Sequence, residues 1–246
     1  MSIPKIIHYC WFGGGAISPE NRKCMESWKK YCPDYKIIEW NEQNFDISQN
    51  RYAQQAYEAK KYAFVSDYVR LAVLYEYGGI YLDTDVELVR PLDELLELPG
   101  FMGFQTNNEV ATGLGFGARK GNSVVQALLR DYDALDFLKA DGSADLTPCP
   151  ERNTRVLQAL GVRKDGTRQS IAEMEIFPAE YFCPMDLYSR ELRVTPKTYS
   201  IHRYAESWKP KPSAVSRILQ RLLKKHYYTW YCPLRGRIEG RLRKRT

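Results

Sequence analysis

Residues 63–88, AFVSDYVRLAVLYEYGGIYLDTDVEL, restrict the possible folds more than any other stretch of this chain. Tyr57, Phe64, Tyr68, Leu71, Leu74 and Tyr75 recur at spacings of three and four, which predicts one helix over residues 54–77, ended by Gly78-Gly79. A short apolar strand, Ile80-Tyr81-Leu82, then delivers two acids one residue apart, Asp83 and Asp85, before the Val86-Glu87-Leu88-Val89 alternation resumes. In extended backbone alternate side chains share a face about 6.6 Å apart, so both carboxylates can meet one ion or ligand. Their repulsion is relieved most simply by a divalent cation, and hard oxygen donors favour Mg²⁺ or Mn²⁺ over Zn²⁺. A bare Asp-x-Asp reads first as a polar turn between strands; apolar flanks on both sides place this one at a strand end, inside the architecture.

Asp67 and Arg70 share a helix face with Leu71 and Leu74, the stripe expected to point inward. Charges on a buried face need partners. The two could satisfy each other, or be presented to a polar substrate beside the acids.

Elsewhere, residues 3–12 read as a first strand followed by Gly13-Gly14-Gly15, residues 19–31 as a helix and 35–40 as a second strand, a β-α-β start. Further helices are expected at 92–98, 124–137 and 151–160, strands at 101–105 and 113–118, and a polar loop at 141–150. Such alternation predicts an α/β domain with a largely parallel sheet and ligands at the strands' carboxyl ends. At 246 residues with 44% apolar content, the chain can build one large domain with an appendage. The division expected is a body over 1–212 and a basic amphipathic segment over 213–246. In that last stretch Lys and Arg alternate with Ile218, Leu219, Leu222 and Leu223 and with Tyr227, Tyr228, Trp230 and Tyr231, against one acid, Glu239. A segment of this kind lies on an anionic bilayer surface or packs as a helix on the body. No nucleic-acid partner is expected.

The six cysteines form no Cys-x-x-Cys pair and read as reduced, buried thiols. His8, within the first strand, reads as a satisfied core residue. With no leader-like start and no apolar run near the ~18 residues of a spanning helix, the expectation is a cytoplasmic protein with at most peripheral contact with the inner face of the cell membrane.

Together with IPKIIHYCWFGG (3–14), the 63–88 segment resembles the DXD-containing sugar transferases of glycosyltransferase family 32, most closely those of bacterial capsule and surface polysaccharides. It is distantly similar to the glucosyltransferase domain of large clostridial toxins, and TYSIHRYAESW (198–208) extends the likeness more weakly. The resemblance implies a GT-A-type nucleotide-diphospho-sugar transferase fold with a mostly parallel central sheet flanked by helices. It further implies a nucleotide-sugar donor (a UDP-sugar by default), Mn²⁺ or Mg²⁺, and retention at the anomeric carbon. By position, Asp85 would ligate the metal and Asp83 would sit between metal, ribose and sugar. Asp67 and Arg70 would hold the donor sugar, with Ser66 beside them and Tyr81 near the ribose; Asp83, Asp67 and Arg70 form the expected catalytic set. Trp11 would stack on the base, with Phe12 and Gly13 beside it. His202 would be a late metal ligand and Trp208 a donor contact. The acceptor, a glycan or lipid-linked oligosaccharide, would meet residues 106–117. Two other classes compete: a metal-dependent phosphohydrolase forming an aspartyl phosphate, whose acidic strand ordinarily comes first in the chain, and a non-enzymatic surface-binding protein.

Overall fold

Alternating apolar residues form strand β1 (Ile6–Cys10), and Ser18 opens helix α1 (Pro19–Tyr31) by accepting the Asn21 amide, with proline at the first helical position. Strand β2 (Lys36–Trp40) completes the β-α-β unit. The computed structural model describes residues 2–187 and 189–205, so the basic segment at 213–246, Trp208, Cys232 and His226 lie outside the described residues.

The helix expected over 54–77 is two, α2 (Arg51–Glu58) and α3 (Tyr62–Tyr77), because Lys60 takes a left-handed φ of 57° and turns the chain between them. Gly78 and Gly79 end α3 at φ 67° and 108°. A Cβ on Gly79 would lie 2.8 Å from the Ile6 carbonyl oxygen and 2.9 Å from His8 Nε2, so the position has room for glycine alone.

Strand β3 (Gly79–Tyr81) is followed by β4 (Val86–Leu88), β5 (Gly100–Phe104), β6 (Val110–Ala111) and β7 (Phe116–Ala118). Helices α4 (Ser123–Asp133) and α5 (Cys149–Ala159) precede β8 (Gln169–Ile171), β9 (Met174–Phe177), the short α6 (Ala179–Phe182) and β10 (Ser200–His202). The segment expected as a helix at 92–98 makes only a 3-10 turn, Asp93–Leu95.

The main sheet runs β2-β1-β3-β7-β5-β9-β8, with β6 paired to β5. From the pairings, β1, β2, β3, β5 and β9 point one way, and β6, β7 and β8 the other. The mostly parallel central sheet is therefore present in strand direction, with antiparallel β7 inserted between β3 and β5 where sequence reading had placed no reversal. A second, two-stranded sheet pairs β4 with β10 antiparallel. Helices α2 to α5 close one apolar layer through Tyr52, Phe64, Leu71, Leu128 and Leu157. On the other side Trp28 of α1 packs with Ile7, Ile80, Val86, Leu88 and Phe182. Among the described residues no helix is long and apolar enough to cross a membrane.

His8 is fully buried and hydrogen-bonded on both nitrogens: Trp40 Nε1 donates to Nδ1 at 3.0 Å, and Nε2 donates to the Gly78 carbonyl at 2.9 Å. Burial holds the imidazole neutral, pulling its pKa from 6.5 down to about 4. The unfolded chain therefore binds the proton first, and stability falls as pH drops through that window, by up to about 3 kcal/mol. Urea unfolding of wild type and of a His8→Gln variant between pH 7 and pH 4 checks this: the variant should show a shallower loss.

Candidate active site

The chain leaves β3 at Tyr81 and enters a tight turn rather than continuing as strand. Leu82 N–H bonds the His8 carbonyl at 3.1 Å, Asp83 N–H the Gly113 carbonyl at 3.1 Å, and Val86 N–H closes on the Asp83 carbonyl at 3.0 Å. Thr84 Oγ1 accepts from buried Asn21 Nδ2 at 2.9 Å, tying the turn to α1. The expected strand under the two acids is thus replaced by a turn linking two sheets. The carboxylates converge because this turn is pinned from three sides, not because of strand pleating.

Arg70, nearly buried, reaches across from α3. Its Nη2 lies 3.1 Å from Asp67 Oδ1 and 3.2 Å from Asp83 Oδ1, and its Nε donates to the Ser66 carbonyl at 3.1 Å. The guanidinium sits 4.9 Å from the Tyr81 ring centroid, and Tyr81 OH donates to Asp83 Oδ1 at 3.1 Å. A buried guanidinium between two carboxylates stays charged, its pKa raised well above the usual value against the cost of burial. Burial pushes Asp67 up to about 6 despite the pull of Arg70. The thiols of Cys10 and Cys149, also buried here, are pushed up to about 12 and are therefore not thiolate nucleophiles at neutral pH.

Gly113 on the facing segment sets the clearance. A Cβ there would fall 1.9 Å from Asp83 Oδ2 and 3.2 Å from Arg70 Nη1. Next to it, Thr112 Oγ1 and Cys149 Sγ both accept from Asn153 Nδ2, at 3.1 and 3.2 Å.

Asp85 faces the opposite way. Its Oδ2 lies 3.3 Å from His202 Nε2 and accepts the Ala205 amide at 2.7 Å. Burial opposes the charges of both, yet His202 and the backbone amides hold Asp85 down at about 2, and Asp85 lifts His202 to about 10. One ligand atom each from Asp83, Asp85 and His202 lie within 4.8 Å of one another. Two donors on opposite sides of Mg²⁺ sit roughly 4.2 Å apart at ~2.1 Å per bond, so a small closure suffices. The donor set and the exposed side of Asp83 (28% accessible) fit a hard divalent cation with coordination positions left for a ligand.

The remaining expected residues divide. Trp11 is half-buried at the end of β1 with Nε1 donating to the Gly15 carbonyl at 2.5 Å, and Gly13 N–H donates to Glu42 Oε1 at 2.5 Å. A Cβ on Gly13 would meet the Tyr62 ring at 2.2 Å, so glycine lets the loop close on α3. The Phe12 side chain, expected beside the base, packs in the core. Ser66 Oγ donates to the Tyr62 carbonyl inside α3. Thr112, Gly113, Asn153, Asn21 and Ala205 were not found individually from sequence. Gly113 alone carried a signal, a glycine in an expected strand.

Residues 18–101 match the family model described as "Glycosyltransferase sugar-binding region containing DXD motif". Inositol phosphoceramide mannosyltransferase 3 of Schizosaccharomyces pombe is 29% identical over 147 residues, covering 55% of this chain and 39% of that protein. An uncharacterized glycosyltransferase, L373, of Acanthamoeba polyphaga mimivirus is 25% identical over 221 residues, covering 85% of this chain and 84% of that protein. Among solved structures, PaToxG glycosyltransferase superposes with a TM-score of 0.47 at 22% identity, over 64% of this chain and 69% of that one. The chain thus spans less than half the length of the fungal relative and most of the viral one.

Because His202 is protonated below about pH 10, a cation binding at this cluster must displace that proton. Mn²⁺ titrations by calorimetry in buffers of different ionisation enthalpy should show release of about one proton at pH 8. Affinity should rise up to about tenfold per pH unit from 7 towards 10, and a His202→Ala variant should lose both effects.

Proposed function

We propose that this chain, whose residues 18–101 carry a glycosyltransferase sugar-binding region of the DXD type, moves a hexose from a nucleotide-diphosphate sugar to a glycan or lipid-linked acceptor with the help of Mn²⁺ or Mg²⁺. The observation that carries the proposal is the sharing of Asp83. One of its neighbours is the buried Asp67–Arg70 pair, and on its other side lie Asp85 and His202. A single carboxylate thus connects a group suited to sugar hydroxyls with one suited to a cation-bound diphosphate.

A bound cation would neutralise the charge that grows on the leaving diphosphate. Asp85 and His202 would hold it, with Asp83 as the third protein donor. Asp67 and Arg70 fix donor hydroxyls, Arg70 through whichever N–H groups its carboxylates leave free, and the two acids face the positive charge that develops on the sugar ring. Tyr81 orients Asp83 through its hydroxyl and does not ionise. Trp11 and the Gly13 backbone offer a planar face and an approach for the base, with Ser66 beside the sugar; Trp208, expected as a donor contact, lies outside the described residues. Asp67 and Asp83 both engage Arg70 and the buried Cys10 and Cys149 are thiols, so no side chain stands out as a nucleophile, which favours delivery of the acceptor on the face the phosphate leaves, with retention. The acceptor approaches along residues 106–117.

The finer assignment is to the GT-A class and family 32, with a UDP-sugar donor, in capsule or surface-polysaccharide synthesis. Residues 1–212 form the transferase body, and 213–246 bring it to the inner face of an anionic membrane. A phosphohydrolase is disfavoured because Asp83, the acid an aspartyl phosphate would use, already shares Arg70 with Asp67.

Asp85→Asn should lower metal-dependent hydrolysis of the donor sugar by about 10²-fold or more, measured as nucleotide diphosphate release. Arg70→Lys should lower kcat by at least about tenfold, since lysine cannot span two carboxylates. Unchanged turnover in both variants, or release of inorganic phosphate from simple esters, would refute the assignment. Removing residues 213–246 should reduce binding to vesicles containing phosphatidylserine while leaving donor hydrolysis intact; equal vesicle binding would discard the membrane role.

A further inference from the structure

We infer that the Arg203–Glu87 ion pair is a positioning clasp, setting the register in which His202 meets Asp85. The inference rests on the cation site proposed above, and it concerns side chains that are not themselves cation ligands.

The two outermost ligands arrive on different strands, Asp85 just before β4 and His202 at the end of β10. The sheet joining them has only three residue pairs: Ser200 with Leu88, Ile201 with Glu87, His202 with Val86. Buried Val86, Leu88, Ser200 and Ile201 settle which faces turn inward and so exclude a one-residue slip, but three pairs leave few contacts to tell the ladder from one shifted by two, which keeps the same faces inward. A two-residue slip would carry His202 about 6.6 Å from Asp85, and a one-residue slip would turn it to the other face.

The chain beyond His202 is also bent, because Tyr204 takes a left-handed φ of 51°, uncommon for an aromatic residue. The Arg203 amide extends the ladder to the Asp85 carbonyl at 3.0 Å, and the bend after it brings the Ala205 amide to Asp85 Oδ2 at 2.7 Å, while Tyr204 OH meets Cys183 Sγ at 2.8 Å. Backbone amides recur at every residue and cannot by themselves choose one register over a shifted one. Side chains can.

Arg203 follows His202 by one residue and Glu87 follows Asp85 by two. Arg203 Nε donates to Glu87 Oε2 at 2.8 Å, and Nη2 donates to the same oxygen. Among the described residues this is the one ion pair joining β4 to the β10 end besides Asp85–His202 itself. With the two side chains 37% and 34% accessible, such a pair contributes little to global stability. Its effect falls instead on where the His202 ring sits relative to Asp85, as an outer partner fixes a metal ligand.

The test is Mn²⁺ affinity of the full-length chain, read by the electron paramagnetic resonance of free Mn²⁺, alongside the melting temperature. Glu87→Gln and Arg203→Gln should each weaken Mn²⁺ binding about tenfold while shifting melting by less than about 3 °C. The reciprocal swap, Glu87→Arg with Arg203→Glu, should recover most of the affinity. Single variants that bind Mn²⁺ as wild type does, or a swap no better than the singles, would overturn the clasp. Asp85→Asn, measured in parallel, separates the two proposals. If it loses Mn²⁺ while the clasp variants do not, the clasp alone is wrong; if it binds as wild type does, the cation site is wrong and the clasp falls with it.

Discussion

A guanidinium buried within α3 must find anions, and the polar geometry of this protein follows from where Arg70 finds them. Asp67, one turn earlier on the same helix, satisfies part of the demand. The rest is met by Asp83 from a turn thirteen positions on, which fixes how α3, β3 and the turn lie against one another. Breaking such a pair strands a buried charge, at a cost of about 3–5 kcal/mol. Arg70 therefore fixes the Asp83 carboxylate while the Gly113 carbonyl holds its amide, and Gly113 leaves the space that makes the approach possible.

From that anchor the two sheets acquire different tasks. The main sheet brings the ends of β1 and β3 side by side, so Trp11 and the glycine loop end up near the acidic turn. The small β4–β10 sheet carries a histidine from more than a hundred residues away to the far side of Asp85. One turn, residues 82–85, joins both sheets, so small displacements in either reach the same two carboxylates.

Much of this was legible in the chain itself, and the misses share a cause. The β-α-β start, Gly78-Gly79 as a stop, the inward face bearing Asp67 and Arg70 and the buried, satisfied His8 all follow from local periodicity and composition. The expected likeness to DXD sugar transferases is matched by the family model over residues 18–101. The helix break at Lys60 was missed because a left-handed lysine leaves no mark in hydrophobic spacing. Antiparallel β7 was missed because three residues of strand carry no direction. The turn at Asp83 was read as strand because its flanks are apolar; what bends it is the Gly113 carbonyl and Asn21, contacts that sequence distance conceals. Thr112 and Asn153 gave no signal of their own, since an isolated polar residue looks the same whether it faces solvent or, as here, Arg70 and its buried neighbours.

Charge balance ties the two halves of the site together. With His202 protonated, Asp67, Asp83 and Asp85 face two positive groups, Arg70 and the imidazolium, leaving one negative charge in a region that is largely buried. Exchanging that proton for a divalent cation would supply the missing positive charge and make the cluster neutral. The proton on His202 is thus a weaker substitute for the cation, able to satisfy Asp85 but unable to reach Asp83. A cation there would be held by Asp83, Asp85 and His202, and Asp83 would then serve both it and Arg70. On the proposed function, a ligand that draws on Arg70 would then be felt at the cation and the reverse, the coupling suited to a donor with its diphosphate at one end and its sugar at the other.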